Sequence, residues 1–390
     1  MTEIEKELVK KEDESGLEAD ELGYDIEVPF DPSKIDIQVK PLSISSLQSR
    51  LSNDELDLTP DFQRQANVWD QKRKSRLIES VLLRIPLPSF YFSEDEEGVY
   101  AVVDGLQRLC TLFHFMNHEE LNRVVKSKLG LLRLKDLQYL KELEGCSFSD
   151  LDRKFQRRIS ELEITSNIIR PNTPPAVKFN VFARLNQGGL PLNAQEIRNA
   201  IYPGMWRKKL QELVNSNSFK NATDGKIKPE RQQDVELALR FVALWQIGSP
   251  FQRHANKTLD EFLNETVENS LRHWNDKDWS LVEKSFIESL DSAVKIFGEH
   301  VFRKSIGSYS KSPINRGLFE AQLISISSLQ KYEIEILILN KEKISHELKN
   351  QLRYGTLLSG ALLYATGSAE ASNTRIKEIT KIFKGVINAN

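Results

Sequence analysis

VYAVVDGLQRLCTLFHF, residues 99–115, packs a strand, a turn and a helix start into one short segment. VYAVVD carries the β-branched and aromatic residues of a strand. Asp104-Gly105 breaks it. A helix is expected from about Leu106 to Asn117, with Gln107 and Arg108 in its first turn. Free backbone N–H groups and the helix dipole meet at such a junction, which suits an anion. Gly105 lets the backbone approach closely, Arg108 can pair a phosphate through two parallel hydrogen bonds, and Asp104 can hold a divalent cation or a ribose hydroxyl. An ordinary tight turn with a solvated arginine accounts for the same spacing. Arg108→Ala is expected to weaken nucleotide binding or turnover without unfolding the protein, at a cost within about 0.5 kcal/mol if the side chain is exposed.

Upstream, IPLPSFYFSE reads as a strand entered through prolines and EDEEG as a turn. IDIQVKPLSI alternates as a half-buried strand does, and SISSLQSRLSNDEL as a short serine-capped helix. Asp70 can cap a helix running to about Arg84, with Leu77, Ile78, Val81 and Leu82 on its apolar face. Downstream, residues 119–170 look helical and locally basic until LEITSNIIRP, a further strand. NTPPAVKFNVFARLNQGG is a helix with prolines in its first turn and Gly188-Gly189 at its end. From about residue 193 onward nearly every segment has helical periodicity.

The chain therefore reads as α+β: an acidic tail over 1–31, a small mixed-sheet domain over 32–202 and an all-α domain over 203–390. The tail holds twelve acids and three lysines, a net of −9, in a chain of 390 residues whose net charge is −2. The rest is thus moderately basic. A solvated, disordered tail is one expectation; a tail that competes with an anionic ligand is the other. The overall balance excludes a histone-like coat. Two cysteines, Cys110 and Cys146, exclude a disulfide scaffold and a cysteine-based zinc cluster, and fit a reducing compartment. No signal-peptide core is visible in MTEIEKELVKKEDESG. GTLLSGALLYATGSA (355–369) is too short to span a bilayer and reads as a buried helix. A soluble, cytoplasmic protein without a membrane partner is expected.

Two other segments carry chemistry. In DFQRQANVWDQKRKSR (61–76), Gln63 and Arg64 lie in a loop, and Lys72, Arg73 and Lys74 fall in a helical first turn, where cations oppose the dipole. A solvated surface tolerates that; a bound anion would offset it. In FNVFARLNQGGLPLNAQEIRNAIYPG (179–204), Asn186, Gly188 and Gly189 form a break, Asn193 and Glu196 can make a capping box, and Arg198 follows. His114 and His118 have zinc spacing but no further ligand nearby. Nucleophile elbows, Walker A loops and GxGxxG are absent, and no stretch resembles an HNH nuclease finger.

Together, Pro60-x-x-Gln63-Arg64-x(4)-Trp69, then Asp104-Gly-Leu-Gln-Arg108, then Arg184-Leu-Asn186-x-Gly188-Gly189 through Glu196-Ile-Arg-Asn-Ala200 resemble the N-terminal domain of GmrSD-type restriction systems. Residues 231–245 and 314–325 resemble the helical region that follows it in stand-alone members. The family carries a D-G-Q-Q-R signature, and Leu106 departs from it. The resemblance implies a ParB/sulfiredoxin-like fold and an NTP-binding, NTP-hydrolysing regulatory protein of restriction and phage defence. Mg²⁺ and a nucleoside triphosphate are the implied cofactors. DNA, a separate nuclease subunit and further copies of the chain are possible partners. On that basis Asp104 would hold the metal or orient water, and Gly105 would cradle phosphate. Arg64 and Arg108 would neutralise developing charge, Gln63 and Gln107 would position water or phosphate oxygens, and Asn186, Gly188, Gly189 and Arg198 would close over the site. A nucleotide-switched DNA-binding module without turnover and a ParB-like nuclease are the alternatives.

Overall fold

The computed structural model describes residues 16–18, 32–58, 69–125, 127–185, 193–202, 204–306 and 311–389. These fall into two compact units. One lies within Pro29–Pro203, and the other joins Gly204–Asn390 with residues of Met1–Val28.

The first unit is built on five strands: β1 (Ile37–Ser43), β2 (Leu56–Asp57), β3 (Phe90–Glu94), β4 (Tyr100–Asp104) and β5 (Glu163–Ile169). Their order is β1-β5-β3-β4-β2. β1 and β5 are antiparallel, β5 and β3 parallel, β3 and β4 antiparallel, β4 and β2 parallel. The β3–β4 turn is held by Asp95, whose Oδ1 accepts from the N–H groups of Glu97 and Val99.

Seven helices complete the described part of this unit: α1 (Ile44–Ser52), α2 (Gln71–Leu82), α3 (Leu106–Met116), α4 (His118–Val125), α5 (Arg153–Ser160), α6 (Pro175–Leu185) and α7 (Ala194–Ile201). The caps are those expected. Ser43 accepts from Ser46 N–H at 3.1 Å and Asp70 from Arg73 N–H at 2.7 Å, and Asn193 with Glu196 forms a capping box. One sheet face (Phe90, Phe92, Tyr100, Val102, Ile164, Ile168) shares a core with Ile78, Val81 and Leu82 of α2 and Leu109, Leu112 and Phe113 of α3. By strand alternation Ala101 and Val103 face the other way; they too are buried, and α7 packs on β4.

Of the stretch 119–170, expected to be helical and to end in a strand, α4, α5 and β5 are as expected, but residues 127–152 are not helical: they are irregular apart from two short 3₁₀ turns, Lys141–Leu143 and Phe148–Asp150. Asp136 and Gly145 adopt positive φ there, and Leu132, Leu134, Leu137 and Leu143 insert into the core. The segment is tied to α2 by the buried Glu79 carboxylate, which accepts from the backbone N–H groups of Gln138, Tyr139 and Leu140 at 2.6–3.0 Å. Burial pushes this carboxyl up, but those donors and Arg76 outweigh it and hold it below the ordinary glutamate value.

The second unit is helical. Its helices are α8 (Met205–Asn215), α9 (Asn217–Ala222), α10 (Gln233–Ile247), α11 (Leu259–Thr266), α12 (Asp276–Phe297), α13 (Arg316–Ser327), α14 (Lys331–Leu339), α15 (Lys341–Gln351), α16 (Leu357–Leu363) and α17 (Ala369–Ile387). α10 and α13 are buried nearly all round, so they carry little amphipathic signal. Residues 357–363 form a short buried helix, as expected. No helix among the described residues is long and apolar enough to cross a membrane.

Of the segment read as a solvated acidic tail, Gly16–Glu18 belongs to this helical unit: Leu17 pairs with Ile314 and is fully buried. Leu17, between Gly16 and Glu18 in an acid-rich stretch, belongs to no periodic pattern that could be read.

Candidate functional site at the strand–helix turn

β4 ends at Asp104, and Gly105 turns the chain into α3 with φ +94°. Glycine is required there twice over. The left-handed conformation disfavours any Cβ, and a Cβ would stand 2.4 Å from Cδ1 of Phe90. Gly105, the N-cap of α3, has no side chain to cap the first turn, and the helix N-terminus opens at this junction.

Arg108 is not a solvated side chain. Its guanidinium lies 4.4 Å from the Phe90 ring centre. Nη2 donates to Asp104 Oδ2 at 2.9 Å and to the Ser89 carbonyl at 3.2 Å, and Nη1 donates to the Pro88 carbonyl. Only 13% of its side chain is exposed, against 39% for Asp104. Burial lowers the Arg108 pKa, and Asp104 opposes the shift. The reading of Arg108 as a free arginine is therefore corrected. It fastens the proline-rich entry to β3 onto α3, and it holds one oxygen of Asp104. Leu106 packs against the core rather than facing the turn. Gln107 is half-buried on the same turn.

The turn thus brings together Asp104, Gly105, Gln107 and Arg108. Gln63, Arg64, Asn186, Gly188 and Gly189 lie outside the described residues. Arg198 sits on α7 and is fully buried; it donates to Gln195 Oε1 at 2.5 Å and lies 6.0 Å from the Phe179 ring. An enclosed guanidinium of this kind acts on what packs against α6 and α7. Lys178 and Asn180 of α6 and Gln195, Glu196 and Asn199 of α7 are also buried. That concentration of polar side chains was not read from the sequence, because the capping box explained Glu196 and nothing distinguished the others.

The basic first turn of α2 also divides in two. Lys72 and Arg73 are exposed, with Arg73 stacked 4.6 Å over Trp69, but Lys74 is buried. Its Nζ lies 3.4 Å from His114 Nδ1, and His114 Nε2 lies 2.7 Å from the Gly130 carbonyl. The carbonyl can only accept, so Nε2 carries the proton and Nδ1 accepts from the lysine. Burial lowers the pKa of both Lys74 and His114, and it raises that of the neighbouring Cys110 thiol.

A family model described as GmrSD restriction endonuclease, N-terminal domain, matches residues 44–203. That stretch of the chain carries a GmrSD-type domain. The match begins just after β1 and stops where the helical unit begins. The Asp104–Arg108 turn lies within the matched stretch. No curated protein and no solved structure matches the chain.

No group of three or more His, Cys, Asp or Glu side chains placed to hold a metal occurs among the described residues. Asp104 offers one carboxylate oxygen beyond the one that Arg108 engages. This suits Mg²⁺, which binds through one or two carboxylates and completes its shell with phosphate and water.

Proposed function

We propose that the GmrSD-type domain binds a nucleoside triphosphate at the Asp104–Arg108 turn and hydrolyses it, within a restriction-like system acting on DNA. The observation that carries this reading is an uncapped helix N-terminus entered through a left-handed glycine, with a part-exposed carboxylate fixed beside it. Gly105 keeps the backbone bare for phosphate to approach. Arg108 acts as a positioning residue by holding Asp104 Oδ2, and the other oxygen is left for Mg²⁺. The metal would supply charge neutralisation across the β and γ phosphates. Gln107 would orient water, and Gln63 and Arg64 would contact the phosphates. Asn186, Gly188 and Gly189 would close over the nucleotide, with Arg198 beneath them. A nuclease would be a separate polypeptide.

One observation favours a second reading, nucleotide binding as a switch without turnover. With Arg108 committed to two carbonyls and Asp104, and Leu106 packed inward, no other cation of this turn is left to neutralise transition-state charge. Incubating the protein with each NTP and Mg²⁺, with and without DNA, separates the readings. Phosphate release that Asp104→Asn reduces at least tenfold supports hydrolysis. Nucleotide-dependent DNA retention without phosphate release supports the switch. DNA cleavage by the protein alone would make it a nuclease, and no binding of any NTP at millimolar concentration overturns the site.

A further inference from the structure

The helical unit holds a short piece of its own chain in a built seat. Leu17 is fully buried and pairs in parallel with Ile314, which pairs on its other side with Arg303. The Glu18 N–H donates to the Ile314 carbonyl at 2.9 Å. Arg316 Nη1 donates to the Glu18 carbonyl at 2.7 Å. The Glu18 carboxylate accepts from Lys304 Nζ at 2.6 Å and from Asn315 Nδ2 at 2.9 Å. Asn315 and Arg316 are more than nine-tenths buried, and the Lys304 side chain keeps only 8% of its surface. Each part of Glu18 therefore has its own partner: N–H, carbonyl and both carboxylate oxygens. Leu17 supplies the apolar anchor. This is how an extended peptide is recognised, with main-chain pairing for affinity and side-chain sockets for specificity.

The piece comes from a segment of net charge −9, and its seat presents Lys304 and Arg316. Those cations are not built for this peptide alone. Lys304 also reaches the Leu362 carbonyl at 3.4 Å, and Arg316 Nη2 donates to Gln233 Oε1 at 2.8 Å. The seat's own walls therefore hold them in place. The unit keeps its large core among α10, α12, α13 and α17 without help from residues 16–18.

We propose that the helical unit is a peptide-recognition module for an extended Gly-Leu-Glu sequence in an acidic context. Residues 16–18 are its resident ligand, bound in cis and exchangeable. The main-chain pairing and the leucine socket favour a peptide over a nucleic-acid backbone, which would need neither.

The test uses the full chain with Leu17→Asp and Glu18→Lys, which empties the seat, and a fluorescent peptide spanning residues 10–24 read by anisotropy. The emptied chain binds the peptide at least tenfold more tightly than wild type, whose seat is filled. Adding Lys304→Glu abolishes that binding, and a peptide carrying Glu18→Lys restores it. No binding to the emptied chain, binding that Lys304→Glu leaves unchanged, or capture of an oligonucleotide in place of the peptide each overturns the proposal. Hydrogen exchange on the wild-type chain provides a readout that needs no variant. The Glu18 amide exchanges at least a hundredfold faster than the core amides of α13 if the segment detaches locally. Equal protection would make it an integral strand and overturn exchangeability.

Discussion

One arginine-held carboxylate in each unit, Glu320 in the helical unit and Asp104 in the sheet unit, makes an instructive contrast. In the helical unit Glu320 of α13 is wholly enclosed and held by Arg240 of α10 at 2.8 Å and Arg375 of α17 at 3.0 Å, with Glu236 also on Arg240. Burial pushes the Glu320 carboxyl up, and Arg375 and Arg240 more than reverse it. Arg253 close by is pushed down to about 10, chiefly by burial. In the sheet unit Asp104 keeps two-fifths of its surface in water while Arg108 pins one oxygen. An enclosed carboxylate with arginines on both oxygens is saturated and serves to register three helices. A carboxylate held on one side only stays available to a ligand. Burial of the acid, rather than the presence of the pair, decides whether a carboxylate keeps contact with solvent.

The largest expected effect tests the enclosed side. Glu320→Ala leaves buried Arg375 without its carboxylate and Arg240 with Glu236 alone, and should destabilise by about 3–5 kcal/mol, read as a lower denaturation midpoint. A loss below about 1 kcal/mol, the range of exposed pairs, would erase the contrast between the two pairs.

Gly105→Ala comes next. The left-handed backbone costs about 1–2 kcal/mol for a residue with a Cβ, and overlap with Phe90 adds about 1–3 kcal/mol. In a Phe90→Leu background the overlap part should shrink while the backbone part stays, which a double-mutant cycle measures.

Arg108→Ala should cost about 1–3 kcal/mol, because it orphans the Pro88 and Ser89 carbonyls and releases Asp104. A change within about 0.5 kcal/mol would return Arg108 to the status of a surface residue.

The smallest effect is a slope in pH. The folded-state pKa of His114 is lowered, so between that value and the ordinary imidazole value near 6.5 the unfolded chain binds the extra proton. Stability therefore falls as the solution is acidified through this window and recovers as pH rises. His114→Gln, which can still accept from Lys74 and donate to Gly130, should flatten that part of the profile. An unchanged slope would place the acid sensitivity elsewhere, with Glu79 the first group to examine.

Local chemistry made much of the molecule legible. Ser43, Asp70, Asn193 and Glu196 announced helix starts because a cap is a contact between near neighbours. The Asp95–Gly98 turn and the strand–glycine–helix passage at 104–106 were equally local. Long-range contacts decided the rest. Residues 127–152 look helical by composition, yet one carboxylate on α2 takes three of their backbone N–H groups and several leucines anchor them to the core. Lys74 reads as a surface cation until α3 brings His114 against it.

By itself the sequence determined the α+β order of the chain, the family of residues 44–203 and the position of the Asp104–Arg108 turn, since each rests on residues close together in the chain. Only the tertiary structure decided that Arg108 is a fastener, that Arg198 is enclosed and that Leu17 and Glu18 lie in a socket some three hundred residues away. Which face of a helix meets a neighbour, and whether a charge there finds a partner or water, is fixed by packing between distant segments, and no local pattern encodes it.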